Sequence, residues 1–515
     1  MERDARLAVE RLAVTPTRAR TALALALALP AAASLAAQPG GHPVSHVFLV
    51  QNSGWMEPFY SDPASPYKAL VAEVVLAATE ADDAMVLAAF NQSQPGLPSP
   101  RALLAEKVAP QSQREHVLKA LAGLETAKKP GGALADTDLG EAVGGAIDSA
   151  LNHQPGLVWL FTNNKNSPNN DQATARRNRE FYALIHHGAD IKKALAFPLH
   201  MPVKSARYSA NGLMVYVFAI HEQGARDLDR LLRSGRLQKV ITEAPARLKP
   251  LDQDTVRLAP IRVEDAPGVA FSMGPNGMLR ADVQSDASQP NATIHWNLEN
   301  TIYPYTIRSA TLAARSVLAG EERPIRLGSA QVSALAPGKG QPLSSLMQLP
   351  VARLPGKWSG AAIAAAGSAV VLPGTIEMRL GEQKLELSQA FKQRMAALFP
   401  GDPLPDIFVP PAQVQGSRAL LPIEVRVHYG MAPLLALIGA VLAALGLLAA
   451  AALAMTRGRK VQLTVEGELR TLSTKAGMRH PIYDQAGNKV AELKTTLFGH
   501  TLTDLREGAQ VRLGR

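Results

Sequence analysis

Cysteine is absent from all 515 residues. Its absence excludes disulfides, thiolate metal sites and thiol catalysis, and it suits a bacterial exported protein better than a eukaryotic extracellular one. Lysine and arginine exceed the acidic residues by ten, yet there is no basic run of the kind that grips nucleic acid, so DNA and RNA are not expected partners. Also missing are the compact catalytic signatures: His-Glu-x-x-His, the Gly-x-Ser-x-Gly elbow and the phosphate-cradling Gly-x4-Gly-Lys-Ser/Thr. No enzymatic activity and no cofactor are expected. His186 and His187 sit side by side on a predicted helix, point about 100° apart and so make no metal pair. Charged residues are sparse at 19% against 47% hydrophobic, an apolar surplus that membrane segments explain in part.

The two ends carry that surplus. Arg3, Arg6, Arg11, Arg18 and Arg20 precede an Ala/Leu run from Thr21 to Leu29, then Pro30 and the A-x-A-like site Ser34-Leu35-Ala36. Residues 1–36 read as an export signal. Near the other end, Met431 to Thr456 carries no charge. At ~1.5 Å per residue that stretch crosses a ~30 Å hydrocarbon core with some tilt. Arg457, Arg459 and Lys460 follow at once, and the positive-inside rule then places the C-terminus in the cytoplasm. The expectation is a single-pass protein of a bacterial inner membrane with its bulk in the periplasm. Gly439-x3-Ala443 and Gly446-x3-Ala450 leave a homo-oligomer through the transmembrane helix open.

Between the ends the pattern changes once. From 44 to 250, apolar runs at Val47–Val50, Ala84–Phe90, Leu157–Phe161, Ala194–Leu199 and Leu213–Ile220 alternate with helical patterns at Tyr67–Thr79, Gln113–Leu124, Leu139–Leu151, Ala173–His187 and Gly224–Ile241. Such alternation predicts a doubly wound, mostly parallel α/β sheet. From 258 to 430, short β-like stretches separated by Pro, Gly, Asn and Asp predict one or two sandwich-like antiparallel subdomains. One helix, Ser388 to Leu398, interrupts them, and the proline-rich Pro400–Pro411 reads as a stiff linker. Residues 457–515 read as a small β module whose size is near the lower limit for independent folding, so that it needs the membrane surface or a partner.

The stretch His46-Val-Phe-Leu-Val-Gln-Asn-Ser-Gly-Trp-Met56 organises the α/β part. An apolar run entering a polar, glycine-containing turn suits a buried strand ending at the ligand-binding edge of such a sheet. It resembles the first motif of the von Willebrand factor A family, an apolar strand followed by Asp-x-Ser-x-Ser. Two further stretches, Gly131 to Ala142 and Gly156 to Asn164, resemble the family's threonine loop and its strand ending in Thr-Asp-Gly. The resemblance covers roughly residues 44–250 and implies a divalent-cation site. Its five ligand positions fall on Gln51, Ser53, Trp55, Thr137 and Asn163, and only Ser53 and Thr137 keep the family's residue. Hard cations want carboxylates above all, so the site is expected to have lost its metal. By resemblance such domains bind proteins. A protein partner is expected at the edge made by Gln51, Ser53, Trp55, Phe59, Thr137 and Asn163. The alternative is a metal-dependent adhesion receptor in which Asp136 or Asp138, flanking Thr137, rebuilds the site.

Overall fold

The computed structural model describes residues 42–514, apart from 167–171, 265–266, 275–276, 285–290, 319, 350–355, 357, 402–403, 413 and 415. The expected export signal, residues 1–36, lies outside the described residues. The apolar run does form a strand, β1 (Ser45–Gln51). With β2 (Ala84–Phe90), β3 (Arg101–Lys107), β4 (Gly156–Thr162), β5 (Ile191–Lys204), β6 (Ser209–Ile220) and β7 (Ala246–Lys249) it makes a seven-stranded sheet of order β3-β2-β1-β4-β6-β5-β7.

That sheet is mixed, which corrects the mostly parallel expectation. Only the β1–β2 and β1–β4 pairs are parallel, while β2–β3, β4–β6, β5–β6 and β5–β7 run antiparallel. The reason lies in the connection. A parallel neighbour needs a crossover of a dozen or more residues, and the chain between β5 and β6 is a tight turn closed by Ser205 and Tyr208. The parallel core is β2-β1-β4, and β6, β5 and β7 extend it as antiparallel strands.

β1 is buried on both faces. Phe48 and Val50 face a layer built with α1 (Glu57–Ser61), α2 (Tyr67–Ala78) and α3 (Pro110–Ala122), through Phe59, Val71, Val117 and Leu121. Val47 and Leu49 face the opposite layer, with α4 (Leu139–Gly145) and α5 (Gln172–His187). A sixth helix, α6 (His221–Arg233), lays Leu228 and Leu231 on the first layer.

Ten strands follow: β8 (Val256–Glu264), β9 (Val269–Met273), β10 (Leu279–Gln284), β11 (Asn291–Asn300), β12 (Tyr305–Leu318), β13 (Glu321–Leu327), β14 (Gln331–Leu335), β15 (Gly340–Gln348), β16 (Ala369–Leu387) and β17 (Arg418–His428). They form a single hydrogen-bonded sheet around one apolar core, antiparallel apart from β10 with β17. β11 shows the period-2 logic, burying Ala292, Ile294, Trp296 and Leu298 on alternate positions.

Two helices interrupt this region, α7 (Gly360–Ala364) and α8 (Gln389–Leu398). The expected helix is therefore present, capped by Ser388 Oγ, which accepts from the Phe391 amide at 3.4 Å. Its packing was not expected. Phe391, Met395 and Leu398 join Phe181, Ile185, Met214 and Tyr216 on the outer face of the seven-stranded sheet. Gly212 permits the crossing, because a Cβ there would lie 2.9 Å from Leu398 Cβ. The proline-rich stretch is not a free linker either: Ile407 and Phe408 are buried in the same layer. Each fully buried side chain of this size contributes roughly 2 kcal/mol, so the α/β part is completed by α8, which begins at Gln389, 156 positions after α6 ends at Arg233.

Beyond β17 comes α9 (Ala432–Thr456), whose segment Ala432–Leu453 is long and apolar enough to cross a membrane. The final residues form β18 (Arg459–Val465), β19 (Glu468–Thr474), β20 (Arg479–Tyr483), β21 (Lys489–Thr495), β22 (His500–Thr503) and β23 (Val511–Leu513), in two three-stranded sheets over one small core. The turn expected at Asp484-Gln-Ala-Gly487 links β20 to β21, with Asp484 Oδ1 accepting from the Ala486 and Asn488 amides.

At the amino-terminal end of β1 and β2 a buried polar chain fixes the strand pair. The Trp159 indole N–H donates to His46 Nδ1 at 3.3 Å, and His46 Nε2 faces Asp83 Oδ2 at 3.5 Å. The Val44 and Glu80 amides also donate to Asp83, each at 2.7 Å. Burial alone would raise the Asp83 carboxyl, but His46 and the two amides together outweigh it and hold the group below its ordinary value. A depressed folded-state pKa stabilises the fold fully above the unfolded value of ~3.9 and is lost as pH falls through the folded one. Asp83→Asn should destabilise the α/β part by about 1–3 kcal/mol at neutral pH. Denaturant titrations at pH 7 and pH 3 check this, with the gap between wild type and variant narrowing at the lower pH.

Candidate functional site

The carboxyl ends of β1 and β4 and the loop before α4 converge, as the three motifs imply. Gly54 sets the approach: its amide donates to the Ala135 carbonyl at 2.8 Å, and a Cβ there would lie 2.7 Å from Leu134 Cβ. Asn52 ties the same loops together, donating to the Glu125 carbonyl and accepting from Asn91 Nδ2. Asn166 Oδ1 accepts from the Leu139 amide at 3.0 Å and so joins the β4 loop to the start of α4.

At the centre is the Gln51 side-chain amide. Nε2 donates to Ser53 Oγ at 2.7 Å and to Thr137 Oγ1 at 3.1 Å, while Oε1 accepts from Thr162 Oγ1 and from the Asn163 amide at 3.2 Å. The two hydroxyls bond each other at 2.6 Å. A primary amide has two donors and two acceptor lone pairs, and all four are used. The orientation is dictated by the obligatory Asn163 N–H donor, which must meet oxygen. Gln51, Ser53, Thr137 and Thr162 are fully buried. The Ser53 and Thr137 hydroxyls thus meet an amide NH2 group, and its partial positive charge answers their lone pairs.

Of the expected edge residues, the structure brings Gln51, Ser53, Thr137 and Asn163 into one network. It also removes most of them from the surface. Gln51, Ser53 and Thr137 cannot touch a partner, and Phe59 is 2% exposed, packed edge-on against Tyr67 at 5.5 Å. Phe59 as a contact residue is therefore corrected: it lies on the inward face of α1. Asn163 is 4% exposed and acts from within, its Nδ2 donating to the Trp55 carbonyl at 2.8 Å. Trp55 alone of the six is partly exposed. Its ring packs on Tyr208 at 4.8 Å, and Lys165 Nζ stands 4.4 Å from its centroid, within cation–π range.

Asp136 and Asp138, which flank Thr137, are both engaged elsewhere. Asp136 is ion-paired with Lys129. Asp138 caps α4, its Oδ1 accepting from the Glu141 amide at 3.0 Å, and burial holds its carboxyl above the ordinary value against that bond. Among the described residues no group of three or more His, Asp or Glu is placed to hold a metal ion.

Four participants were not among the expected site residues. Thr162 had a signal, since it opens the Thr-Asp-Gly-like stretch. Asn164 stands where that motif has glycine and adopts φ +66°, a left-handed conformation that asparagine tolerates best among residues with a side chain. Its Oδ1 also accepts from the Tyr216 hydroxyl. Tyr208 and Lys165, which flank Trp55, carry no local signal at all.

A comparison with known protein families finds no match, and a comparison with curated proteins finds none either. Among solved structures, CfaE, the adhesive subunit of the CFA/I fimbria of enterotoxigenic Escherichia coli, is 8% identical over 46% of this chain and 73% of its own. Its TM-score of 0.12 is too low to carry an argument.

The network generates a stability prediction. Gln51→Ala leaves buried hydroxyls and the Asn163 amide without partners and should cost about 3 kcal/mol. Asn164→Gly should be milder than Asn164→Ala, which adds about 1 kcal/mol of left-handed strain. Denaturant midpoints of the three variants against wild type check both statements.

Proposed function

We propose that the chain is a single-pass inner-membrane protein of a bacterium, held by α9 with its C-terminus in the cytoplasm. Its extracytoplasmic part is a degenerate von Willebrand A-like domain on a β-rich body. It is a non-enzymatic scaffold that binds a protein partner in the envelope without a cation.

The observation that carries the cation-free reading is the Gln51 amide, which saturates both surviving ligand hydroxyls from inside the protein. A divalent ion there would have to displace four hydrogen bonds and would gain no carboxylate in return. Ser53 is equally spent, bonded to Gln51 and Thr137 and buried, which leaves it no general base and speaks against a hydrolase. The metal-dependent alternative is disfavoured by the ion pair on Asp136 and the capping role of Asp138.

The docking face is the rim rather than the pocket. Trp55 with Tyr208 and Lys165 presents aromatic area and one cation at the strand-end edge, the residue types that dominate interface energetics. Asn163 and Gln51 hold this rim in place from beneath.

Capture of envelope proteins by detergent-solubilised full-length chain, after crosslinking in native membranes, tests the proposal. Trp55→Ala should reduce recovery of the specific partner about 30-fold, the effect of losing roughly 2 kcal/mol, and EDTA should leave it unchanged. Binding lost in EDTA and restored by Mg²⁺ overturns the cation-free reading. Capture indifferent to Trp55→Ala overturns the rim.

A further inference from the structure

One end of the C-terminal module is assembled at the exit of α9. Arg457 closes that helix, with its amide bonded to the Leu453 carbonyl at 3.1 Å, and β18 begins two residues later at Arg459. Arg459 pairs in register with Thr474 at the end of β19, and Thr474 Oγ1 bonds Thr495 Oγ1 at 3.0 Å at the end of β21. The Gly477 amide donates to the Thr495 carbonyl, and the Thr495 amide to the Met478 carbonyl, so the β19–β20 turn lies beside the β21–β22 turn. Finally Arg459 Nη1 donates to the Leu497 carbonyl at 3.2 Å. Three segments distant in sequence thus meet where the apolar helix ends.

The tip of the β21–β22 turn is Phe498, which is 99% exposed, and Met478 on the neighbouring turn is 48% exposed. Around them stand Arg457, Arg459, Lys460 and Lys475, none with an ion-pair partner among the described residues. The module holds eleven basic and six acidic side chains, a net +5 over 457–515, and most of the acids lie away from this end. Glu466 and Glu468 lie at the far end of β18 and β19, Asp484 at the far β20–β21 turn, and Asp504 and Glu507 beyond β22. The exposed Leu469 and Leu505 lie among those acids, where an anionic surface would repel them.

We infer that this end docks onto the bilayer surface, with Phe498 and Met478 entering the interfacial region and the four cations meeting anionic lipid headgroups. A large aromatic in water is unfavourable, whereas an aromatic beside a basic cluster at headgroup level is a membrane-surface arrangement. Charge complementarity and direct continuity with α9 commit the surface to lipid rather than to a soluble partner. This rests on α9 spanning the membrane, and it gives the small module the support its size demands.

The natural absence of cysteine makes the test direct. Full-length protein carrying Thr496→Cys, labelled with an environment-sensitive fluorophore, is placed in nanodiscs of phosphatidylcholine with or without phosphatidylglycerol. Quenching by lipid with a shallow nitroxide should be about twofold in the anionic discs and weaker in neutral ones. It should vanish with Phe498→Asp and fall with the double variant Lys460→Glu, Lys475→Glu. A label at Gln485→Cys, in the far turn, should stay aqueous throughout. A separate label at Ala443→Cys reports the helix itself. Lipid depth at 443 with an aqueous 496 overturns the docked tip alone and leaves it to a soluble partner. An aqueous 443 overturns the membrane reading together with everything built on it.

Discussion

The geometry of the candidate site depends on one side chain, the Gln51 amide. It links the ends of β1 and β4 to the loop before α4 with four hydrogen bonds. It is neutral and comes with the fold. An ion doing the same work would bring a charge that must be compensated in a buried place, and it would leave whenever the surrounding concentration fell. An amide brings neither cost. Its carbonyl at the backbone is held too, accepting from the Tyr60 hydroxyl at 2.7 Å and the Tyr67 hydroxyl at 3.3 Å, so the residue is fixed at both ends. Rigidity at the strand ends follows from saturation of the network, and the Trp55 rim inherits it through Asn163.

How far the sequence revealed this depends on what kind of force decided each element. β1, β2 and β4 were legible because runs buried on both faces leave no room for polar residues. β3 was not. Arg101-Ala-Leu-Leu-Ala-Glu-Lys107 consists of strong helix formers, and only pairing with β2 makes it a strand. The direction of β5 and β6 was equally hidden, since apolar runs report burial and not polarity. At the site, the order of three motifs raised the expectation that Ser53, Thr137 and Asn163 lie at one sheet edge. It could not foretell that Gln51 would turn inward to bridge them, because an amide suits a surface loop equally well. Phe59 was misplaced for a related reason: its sequence position beside Trp55 says nothing about which side of a one-turn helix it occupies.

The two large sheets are not independent. α8 leaves the β-rich region, crosses the outer face of β5 and β6, and returns through Ile407 and Phe408 to β17. Side chains anchor each passage: Arg394 donates to the Pro198 carbonyl at 2.8 Å, Asn211 to the Ala397 carbonyl at 3.2 Å, and His186 Nε2 contacts the Ile407 carbonyl at 3.0 Å. A division of the chain at residue 250 would strip the α/β sheet of one covering layer and expose Met214 and Tyr216, both fully buried. Pattern alone suggested two adjacent domains, because a helix amphipathic enough to exist says nothing about which of two sheets will take its apolar face.

This arrangement sets how load applied at the Trp55 rim reaches α9. The chain leaves α8 for β17, which lies between β16 and β10, third from one edge of its sheet and paired on both sides. β17 then passes through Tyr429, itself 3% exposed and bonded through its backbone to Gly367 and Ser368, directly into α9. Only three residues separate the last strand residue, His428, from the first helical one, Ala432. A strand paired on both sides resists being pulled out along its axis by shearing many hydrogen bonds at once, whereas an edge strand shares the load with one neighbour only. With α9 in a bilayer, as proposed, a partner held at the rim is therefore tethered through packed layers and a strand paired on both sides. Such a connection suits the proposed scaffold, which must control the height and orientation of its docking rim.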